Sequence, residues 1–311
     1  MAFTNASGYQ NLAQGNFTPQ IFSQKVQKFF RRASVVEDIT NTDYAGEIEN
    51  FGDTVKIIKE PTITVKDYAR GQTVDTQVLA DDQITMTVDQ GSYFAFKVDD
   101  IEERQSHVNL EALATSSGAY SLKKNYDFNV LKFIYDNASD GTGAGTDASP
   151  IDGDAAVDTL ANLVSTAKKN LDKNDVPEEN RWLVAPPEFF EQLRKAGGKL
   201  SDQSVMNDGG ASQFRNGKVA DRPLFGFNMY SSNAIAVSGG SAASHTFGSA
   251  GSNEFAFVYG HMSGVATVNH IAKTELIRDP DSFADVVRGL HVFGRKILRS
   301  EAVQRGVITI G

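Results

Sequence analysis

The chain has 311 residues, of which 40% are hydrophobic and 22% charged. This is an ordinary globular composition that excludes wholesale disorder, and the absence of cysteine excludes disulfide scaffolds, thiolate metal sites and cysteine nucleophiles. The net charge of −9 is uneven: residues 1–36 carry +4 and residues 268–311 carry +2, which leaves −15 on the middle. That distribution argues against a dedicated nucleic-acid-binding protein. We find neither a secretory signal nor an apolar run of membrane-spanning length, so we expect a soluble intracellular chain.

The first 50 residues predict an arm rather than a domain. Residues 1–17 are small and polar without a period, whereas Ile21 to Phe30 place apolar side chains on one helical face. The basic residues Lys25, Lys28, Arg31 and Arg32 lie mostly on the opposite face. A solvated amphipathic helix is the favoured interpretation, and weak contact with a polyanion or an acidic partner is the alternative.

The next segment predicts a long β-hairpin between Phe51 and Val98. Its strand-like pieces alternate or are β-branched, and turn signals at Pro61 and Gly91 separate them. A polar stretch, 66–82, would form the tip. A projecting hairpin is unstable alone, so we expect another surface to pack against it. The four predicted strands are Thr54–Ile58, Thr62–Val65, Gln83–Val88 and Ser92–Val98.

A long helix is predicted from Asp99 or Asp100 to Asn137, where apolar residues recur at helical spacing. At 1.5 Å per residue it would be about 57 Å long. Its centre, Ala112 to Ala119, is rich in small residues and would allow close approach of other backbone. A polar loop, 136–154, follows the helix.

The rest of the chain mixes helices and strands without the regular alternation of a doubly wound sheet, so we predict an α+β fold. Predicted helices cover 155–171 and 188–195. Predicted strands cover 182–185, 224–230, 234–237, 255–259, 265–277 and 284–298.

No catalytic, cofactor-binding or metal-binding residue is predicted, and we expect no enzymatic activity and no cofactor. The chain lacks a nucleophile elbow and a phosphate-binding loop, and none of its histidines has metal-ligand spacing. The run Gly141, Gly143, Gly145 follows a helix rather than a strand, which is the wrong context for a dinucleotide. The histidines are His107, His245, His261, His270 and His291.

The best metal candidate is the segment Asp136–Asp147, which fits a calcium-loop register at several positions. Ala138 replaces a ligand at position 3, and Asp147 replaces the usual glutamate at position 12. A polar linker is the favoured interpretation. Aromatic residues also suggest a stacking surface, but most alternate along predicted strands, where sheet and core packing is favoured. These are Tyr93, Phe94, Phe96, Phe225, Phe227, Tyr230, Phe255, Phe257 and Tyr259.

Several segments together resemble a known family. The clearest are Thr274–Pro280, Asp285–Gly289 and Phe293–Arg299, where a strand, a glycine and a basic-apolar stretch precede a short tail; Phe225–Phe227 and Tyr230–Asn233 add to the likeness. With the order of arm, hairpin, long helix and mixed domain, this resembles major capsid proteins of tailed double-stranded DNA bacteriophages, which have the Hong Kong 97-like fold.

The resemblance implies a division of the chain. Residues 1–50 would be the N-terminal arm, and 51–98 the extended loop that lies over a neighbouring subunit. Residues 99–150 would be the peripheral domain with its spine helix, and 151–265 the axial domain. Residues 266–311 would return to the peripheral domain and end in the C-terminal tail.

The resemblance also implies a function: self-assembly into pentamers and hexamers of an icosahedral head that encloses double-stranded DNA, without sequence specificity. The protein would reside in the virion capsid after assembly in the host cytoplasm, with a separate scaffolding protein, a portal and a possible decoration protein as partners, and no membrane. Lys59 and Lys66 lie in the predicted hairpin, but no matching asparagine identifies a crosslink.

Three alternatives remain at this point. An encapsulin-type nanocompartment shell would share the fold and enclose a cargo enzyme. A phage tail or receptor-binding β-protein is disfavoured by the long helix and the acidic α/β middle. A hydrolase using scattered acids is the enzymatic alternative.

Overall fold

The computed structural model places the chain's elements in three sheets and four helices over the residues it describes. No helix among them is long and apolar enough to cross a membrane. The predicted helix at 21–30 and the basic residues around it lie outside these residues. The described ranges are 34–44, 54–61, 63–74, 76–78, 83–99, 110–146, 148–156, 159–193, 225–235, 254–280 and 282–310.

The helices are α1 (Val36–Ile39), α2 (Leu110–Asn137), α3 (Thr159–Lys173) and α4 (Pro187–Leu193). The strands are β1 (Thr54–Ile58), β2 (Gln83–Thr87), β3 (Gln90–Asp99), β4 (Ser139–Asp140), β5 (Ile151–Asp152), β6 (Arg181–Ala185), β7 (Asn228–Ser231), β8 (Glu254–His261), β9 (Val265–Arg278), β10 (Ala284–Ile297) and β11 (Val303–Thr309).

Strands β1 and β2 pair antiparallel, with Thr54 opposite Thr87, and form the base of the hairpin. The hairpin prediction was wrong about the last strand. Residues Ser92–Val98 belong to β3, which leaves the hairpin and pairs with β10. The reason is that alternate side chains of β3, such as Phe94 and Phe96, turn inward and are partly or fully buried, and the strand packs against α2. Residues 63–65 also form no strand, because no strand of the described chain pairs with them.

A three-stranded antiparallel sheet in the order β3-β10-β9 lies against α2. The helix is anchored in its C-terminal half, where Tyr126, Val130, Leu131 and Ile134 are fully or almost fully buried. Its small-residue centre rests on the sheet: an ideal Cβ on Gly118 would lie 2.9 Å from the Phe94 ring. The helix is therefore held firmly at one end and touches the sheet through small residues along the other. The helical residues predicted at 100–109 lie outside the described residues.

A mixed six-stranded sheet in the order β4-β11-β8-β6-β7, with β5 also on β11, carries α3 and α4. Aromatic packing on this sheet includes Phe189, whose ring centroid lies 5.6 Å from that of Phe257. Arg181 is buried and donates to the Pro177 carbonyl at 2.8 Å, to the Val176 carbonyl and to the Asp172 carboxylate at 2.6 Å. These bonds fix the turn after α3 to the start of β6.

Strand β11 was predicted to be part of a tail, and this prediction was wrong. It pairs antiparallel with β8 and parallel with both β4 and β5, so it lies inside the six-stranded sheet. Gly306 permits this position, because a Cβ there would overlap the Ala144 carbonyl oxygen and the Phe257 ring. The last predicted segment, 266–311, therefore contributes to two different sheets.

Other predicted elements agree with the structure to within a few residues. Strands β6, β8, β9 and β10 and helices α3 and α4 are confirmed. The strand predicted at 224–230 is shorter, because Phe225 and Gly226 form a turn with φ of 51° and 84°, and β7 begins at Asn228. Ala234 lies in a turn, and 236–237 are outside the described residues.

Candidate assembly surfaces

The residues considered for catalysis or metal binding do not converge in the structure. Within the described part of the chain, no group of three or more histidine and carboxylate side chains could hold a metal ion. His261 ends β8, and its Nδ1 accepts the Ser263 backbone N–H at 3.1 Å, which caps a short 3-10 helix. The side chain of His270 and residues His107 and His245 lie outside the description.

Two carboxylates of the calcium-loop candidate take part in separate ion pairs with basic side chains. Asp136 accepts from Lys132 at 2.9 Å, and Asp140 accepts from Arg305 at 2.6 Å. Each carboxylate thus has a basic partner, and the two contribute to holding the end of α2 and β11 in place. Asp147 lies outside the described residues.

The glycine run after α2 has a packing role. A Cβ at Gly141 would overlap the Tyr259 hydroxyl, and one at Gly145 would overlap the Val307 carbonyl oxygen. Gly143 and Gly145 also have φ of 74° and 82°, which glycine adopts without strain. The run therefore lets the loop pass close to β8 and β11.

A buried polar network reinforces the same junction. The Tyr259 hydroxyl donates to Gln304 Oε1 at 2.7 Å and accepts from Asn170 Nδ2 at 3.2 Å. Asn170 Nδ2 also donates to the Thr142 carbonyl at 3.0 Å. Burial raises the pKa of Tyr259 to about 12, so the phenol is protonated at neutral pH. The Tyr259 hydroxyl thus joins α3, β8 and β11, and Asn170 joins them to the glycine loop.

The loop of the hairpin, comprising the described residues from 58 to 78, presents the largest concentration of exposed apolar side chains in the described chain. Six large ones between 58 and 78 are 68% to 92% exposed, although isolated exposed apolar residues are the rule on protein surfaces. They are Ile58, Ile63, Val65, Tyr68, Val74 and Val78. The described contacts within the chain leave this surface uncovered.

The loop has a defined shape despite this exposure. At its tip, the Gln72 N–H donates to the Ala69 carbonyl at 3.0 Å, and Gly71 between them has φ of 89°. Nearer the base, the Thr64 N–H donates to Gln77 Oε1 at 3.0 Å and joins the two limbs. At the base, Met86 and Val88 are buried against Ala266, Val268 and Val292 of the sheet. The loop is thus anchored where it leaves the body and apolar where it projects.

The outer face of the three-stranded sheet is a second exposed surface. Tyr93 of β3 is 78% exposed and stands opposite Leu290 of β10 in the strand register. On the same face, Arg288 of β10 donates to Glu275 of β9 at 2.6 Å. A charged pair therefore lies beside exposed apolar side chains on this face.

The first described residues are fixed to α2. Ser34 donates to Asp127 Oδ1 at 2.5 Å, and Lys123 pairs with Glu37 at 3.2 Å. Burial raises the pKa of Asp127 because desolvation outweighs the bonds from Ser34 and the Val35 backbone. These contacts hold the segment 34–37 against α2.

Comparison with solved structures defines the class of protein. A chain from "Mycobacterium phage Che8" is 29% identical, with 94% of this chain and 98% of that chain covered and a TM-score of 0.78. A chain from "Asymmetric unit of bacteriophage PhiM1 mature capsid" is 17% identical, covers 94% and 92%, and has a TM-score of 0.68. One from "Capsid of empty GTA particle computed with C5 symmetry" is 15% identical, covers 96% and 98%, and has a TM-score of 0.64. The fold is the Hong Kong 97-like capsid fold.

The sequence places the chain within that class. A family model described as phage capsid protein matches residues 59–306, which is most of the chain, so this protein belongs to the phage capsid protein family. No curated protein matches it. It is a major capsid protein: a structural, non-enzymatic subunit of an icosahedral phage head that self-assembles and resides in the virion capsid. The prediction made from its sequence is confirmed at this level.

Proposed function

We propose that this chain forms pentamers and hexamers of a head enclosing double-stranded DNA, and that the hairpin lies over a neighbouring copy. The observation that carries the proposal is the loop with six exposed large apolar side chains on an anchored base. Ordering such a segment costs conformational entropy that contacts within one chain do not offset. Contacts from other copies in a closed symmetric shell would offset it.

The proposal divides the chain as the resemblance implies, with three adjustments: β3 joins the peripheral domain, and β4 and β11 join the axial domain. The arm is 1–50, and the extended loop begins at 51. Helix α2 and the sheet of β3, β9 and β10 form the peripheral domain. Helices α3 and α4 and the six-stranded sheet would form the axial domain, and the pairing of β11 with β8 supports including 303–309 in it.

We further propose a separate scaffolding protein, a portal and a possible decoration protein as partners, with assembly in the host cytoplasm. Contact with DNA would be electrostatic and independent of sequence, through Lys25, Lys28, Arg31 and Arg32 of the arm. Deleting residues 1–32, which leaves Ser34 and the buried Val35 and Val36 in place, should then lower DNA retention. Normal packaging by the truncated chain would exclude this role for the arm.

The experiment for the hairpin replaces two of its exposed apolar side chains with aspartate. Val65→Asp with Val78→Asp should abolish closed particles in negative-stain microscopy, because two charges would be desolvated at the contact. The melting temperature of the unassembled subunit should change by less than about 2 °C, since both side chains are over 90% exposed. The matched control, Thr64→Asp with Thr73→Asp, adds equal charge at exposed polar positions and should assemble.

Particles of the Val65→Asp, Val78→Asp variant at the wild-type yield would contradict the proposed role of the hairpin. The content of wild-type particles tests the rest. Double-stranded DNA inside supports a head, whereas a cargo protein without DNA would favour the nanocompartment alternative.

A further inference from the structure

The two limbs of the hairpin keep one register from base to tip. The ladder of β1 and β2 ends with Ile58 opposite Gln83. Six residues further along each limb, the Thr64 N–H donates to Gln77 Oε1 at 3.0 Å. Five residues beyond that pair on each limb, the turn at 69–72 closes the tip. Because the steps are equal, neither limb carries the extra residue of a bulge, and opposed residues share a face beyond the ladder as they do within it.

This register sorts the exposed apolar side chains of the loop by face. Within the ladder, the face that holds the buried Met86 and the partly buried Val55 is turned towards the body of the subunit. Ile58 and Tyr68 belong to the other face. Four of the six exposed apolar side chains continue the inward face, and we call them the apolar hairpin face: Ile63, Val65, Val74 and Val78.

The opposite side of the loop, which we call the polar hairpin face, is rich in hydroxyl, amide and charged groups. In the register it carries Thr64, Lys66, Thr73 and Gln77, all of them exposed. Strands with one apolar and one polar face are typical of sheets that pack on a surface with one side and meet water with the other. The loop therefore has the pattern of a hairpin that is covered on one side only.

The apolar hairpin face continues a contact that the hairpin already makes at its base. There, Met86 and Val88 cover the outer face of the three-stranded sheet at Val292, which is only 4% exposed. Two residues along β10 on the same face, Leu290 is 42% exposed, and Tyr93 opposite it is 78% exposed. We call Tyr93 and Leu290 the sheet patch. The hairpin of the same chain thus covers one part of this face and leaves the sheet patch open.

A second copy of the chain fits the apolar hairpin face. Every copy carries one uncovered hairpin face and one uncovered sheet patch, and the patch belongs to the same surface on which the hairpin base packs. The apolar hairpin face is turned to the side on which its own sheet lies, so a neighbouring sheet at the same level would meet it. Copies related by rotation in a closed ring would cover both surfaces in every subunit.

We propose that the hairpin contacts a second copy through one face only: the apolar hairpin face packs on the sheet patch of that copy, and the polar hairpin face stays in solvent. This inference rests on the proposed function, because it assigns a side and a receiving surface to the hairpin contact proposed there.

The test of the side uses thiol labelling, since the chain has no cysteine of its own. Val65→Cys and Val78→Cys report on the apolar hairpin face, and Thr64→Cys and Thr73→Cys are the matched controls on the polar hairpin face. All four positions are exposed in the single chain, so a maleimide should label them readily in the unassembled subunit. In particles, the first two thiols should react at least about tenfold more slowly, whereas the controls should keep their rates.

The side of the contact and the contact itself fail in different ways. Particles in which both faces are protected, neither face is protected, or only the polar hairpin face is protected would overturn the inference while leaving the proposed function in place. Wild-type particle yield from the Val65→Asp, Val78→Asp variant would contradict the proposed function, and microscopy detects this without any labelling.

Mixed particles test the receiving surface. Val65→Cys subunits assembled together with Leu290→Cys subunits should form covalent dimers when treated with a short bis-maleimide. Particles of either variant alone should remain monomeric on denaturing gels. A mixed preparation that yields no dimers although the thiol of Val65→Cys is protected would overturn the sheet patch as the receiving surface, because another surface or a separate protein would then cover the hairpin.

Discussion

The six-stranded sheet and the hairpin use apolar residues in opposite ways. Around the sheet, Phe189, Phe227, Phe257 and Tyr259 are fully buried by other parts of the same chain. On the hairpin, side chains of similar hydrophobicity such as Val65 project into solvent on an anchored base. One region is stabilised within a single subunit, whereas the other carries apolar surface that only a further contact can bury.

Because of this difference, the free energy of unfolding of the subunit and its ability to assemble should respond to substitutions in different regions. Substitutions in the sheet should change the free energy of unfolding of the subunit, and assembly only as a consequence. Substitutions on the hairpin should change assembly and leave the free energy of unfolding nearly constant. Three predictions test this separation.

The largest expected effect is that of Phe189→Ala in α4. The ring packs edge to face on Phe190 at 5.7 Å and against Phe257, so its removal leaves a cavity and should cost about 3–5 kcal/mol. Val65→Ala on the hairpin should cost less than about 0.5 kcal/mol. Denaturant unfolding of the unassembled subunit measures both, and similar losses would refute the separation.

A smaller effect is expected for Gly306→Ala in β11. The added methyl would meet the Ala144 carbonyl oxygen, which is backbone and does not rotate away, so we expect a loss of about 1–3 kcal/mol. The control is Gly91→Ala in β3, where a Cβ meets nothing within 4 Å. Equal melting temperatures for the two variants would show that β11 does not pack as closely as described.

The smallest effect is expected for Tyr259→Phe, about 1–2 kcal/mol at pH 7, because Gln304 and Asn170 each lose a partner. The pKa of this phenol is raised to about 12 from 10.0, so its contribution is complete below pH 10 and declines as the pH rises towards 12. Unfolding free energies of wild type and variant should therefore converge over that interval. A gap that widens with pH would contradict the assignment.

Elements with a clear period were predictable from the sequence. The apolar repeat of α2 and the alternation of β8, β9 and β10 identify each element locally. Pairing was less predictable: Ser92–Val98 has the pattern of a hairpin strand, but its partner, β10, lies nearly two hundred residues away. Local alternation identifies a strand and does not identify its neighbour.

Two features were missed because their cause is tertiary. The alternating residues of β11 are interrupted by Arg305 and Gly306, and the role of this glycine depends on its contact with Ala144. The exposed apolar loop was predicted as a polar tip because residues 66–82 are rich in charged and polar groups. Ile63 and Val65 precede that stretch, and only the lack of a pairing strand in the described chain reveals them as surface.

The position of β11 in the sheet determines when the sheet can be completed during synthesis. Strands β4 and β5 both pair with β11, which also pairs with β8. They leave the ribosome about 160 residues before β11 does. At translation rates of about 5–20 residues per second, this is an interval of roughly 8 to 30 s. During it, the faces that β11 will cover are open to solvent and to other nascent chains. The six-stranded sheet therefore stays incomplete until β11 has been synthesised.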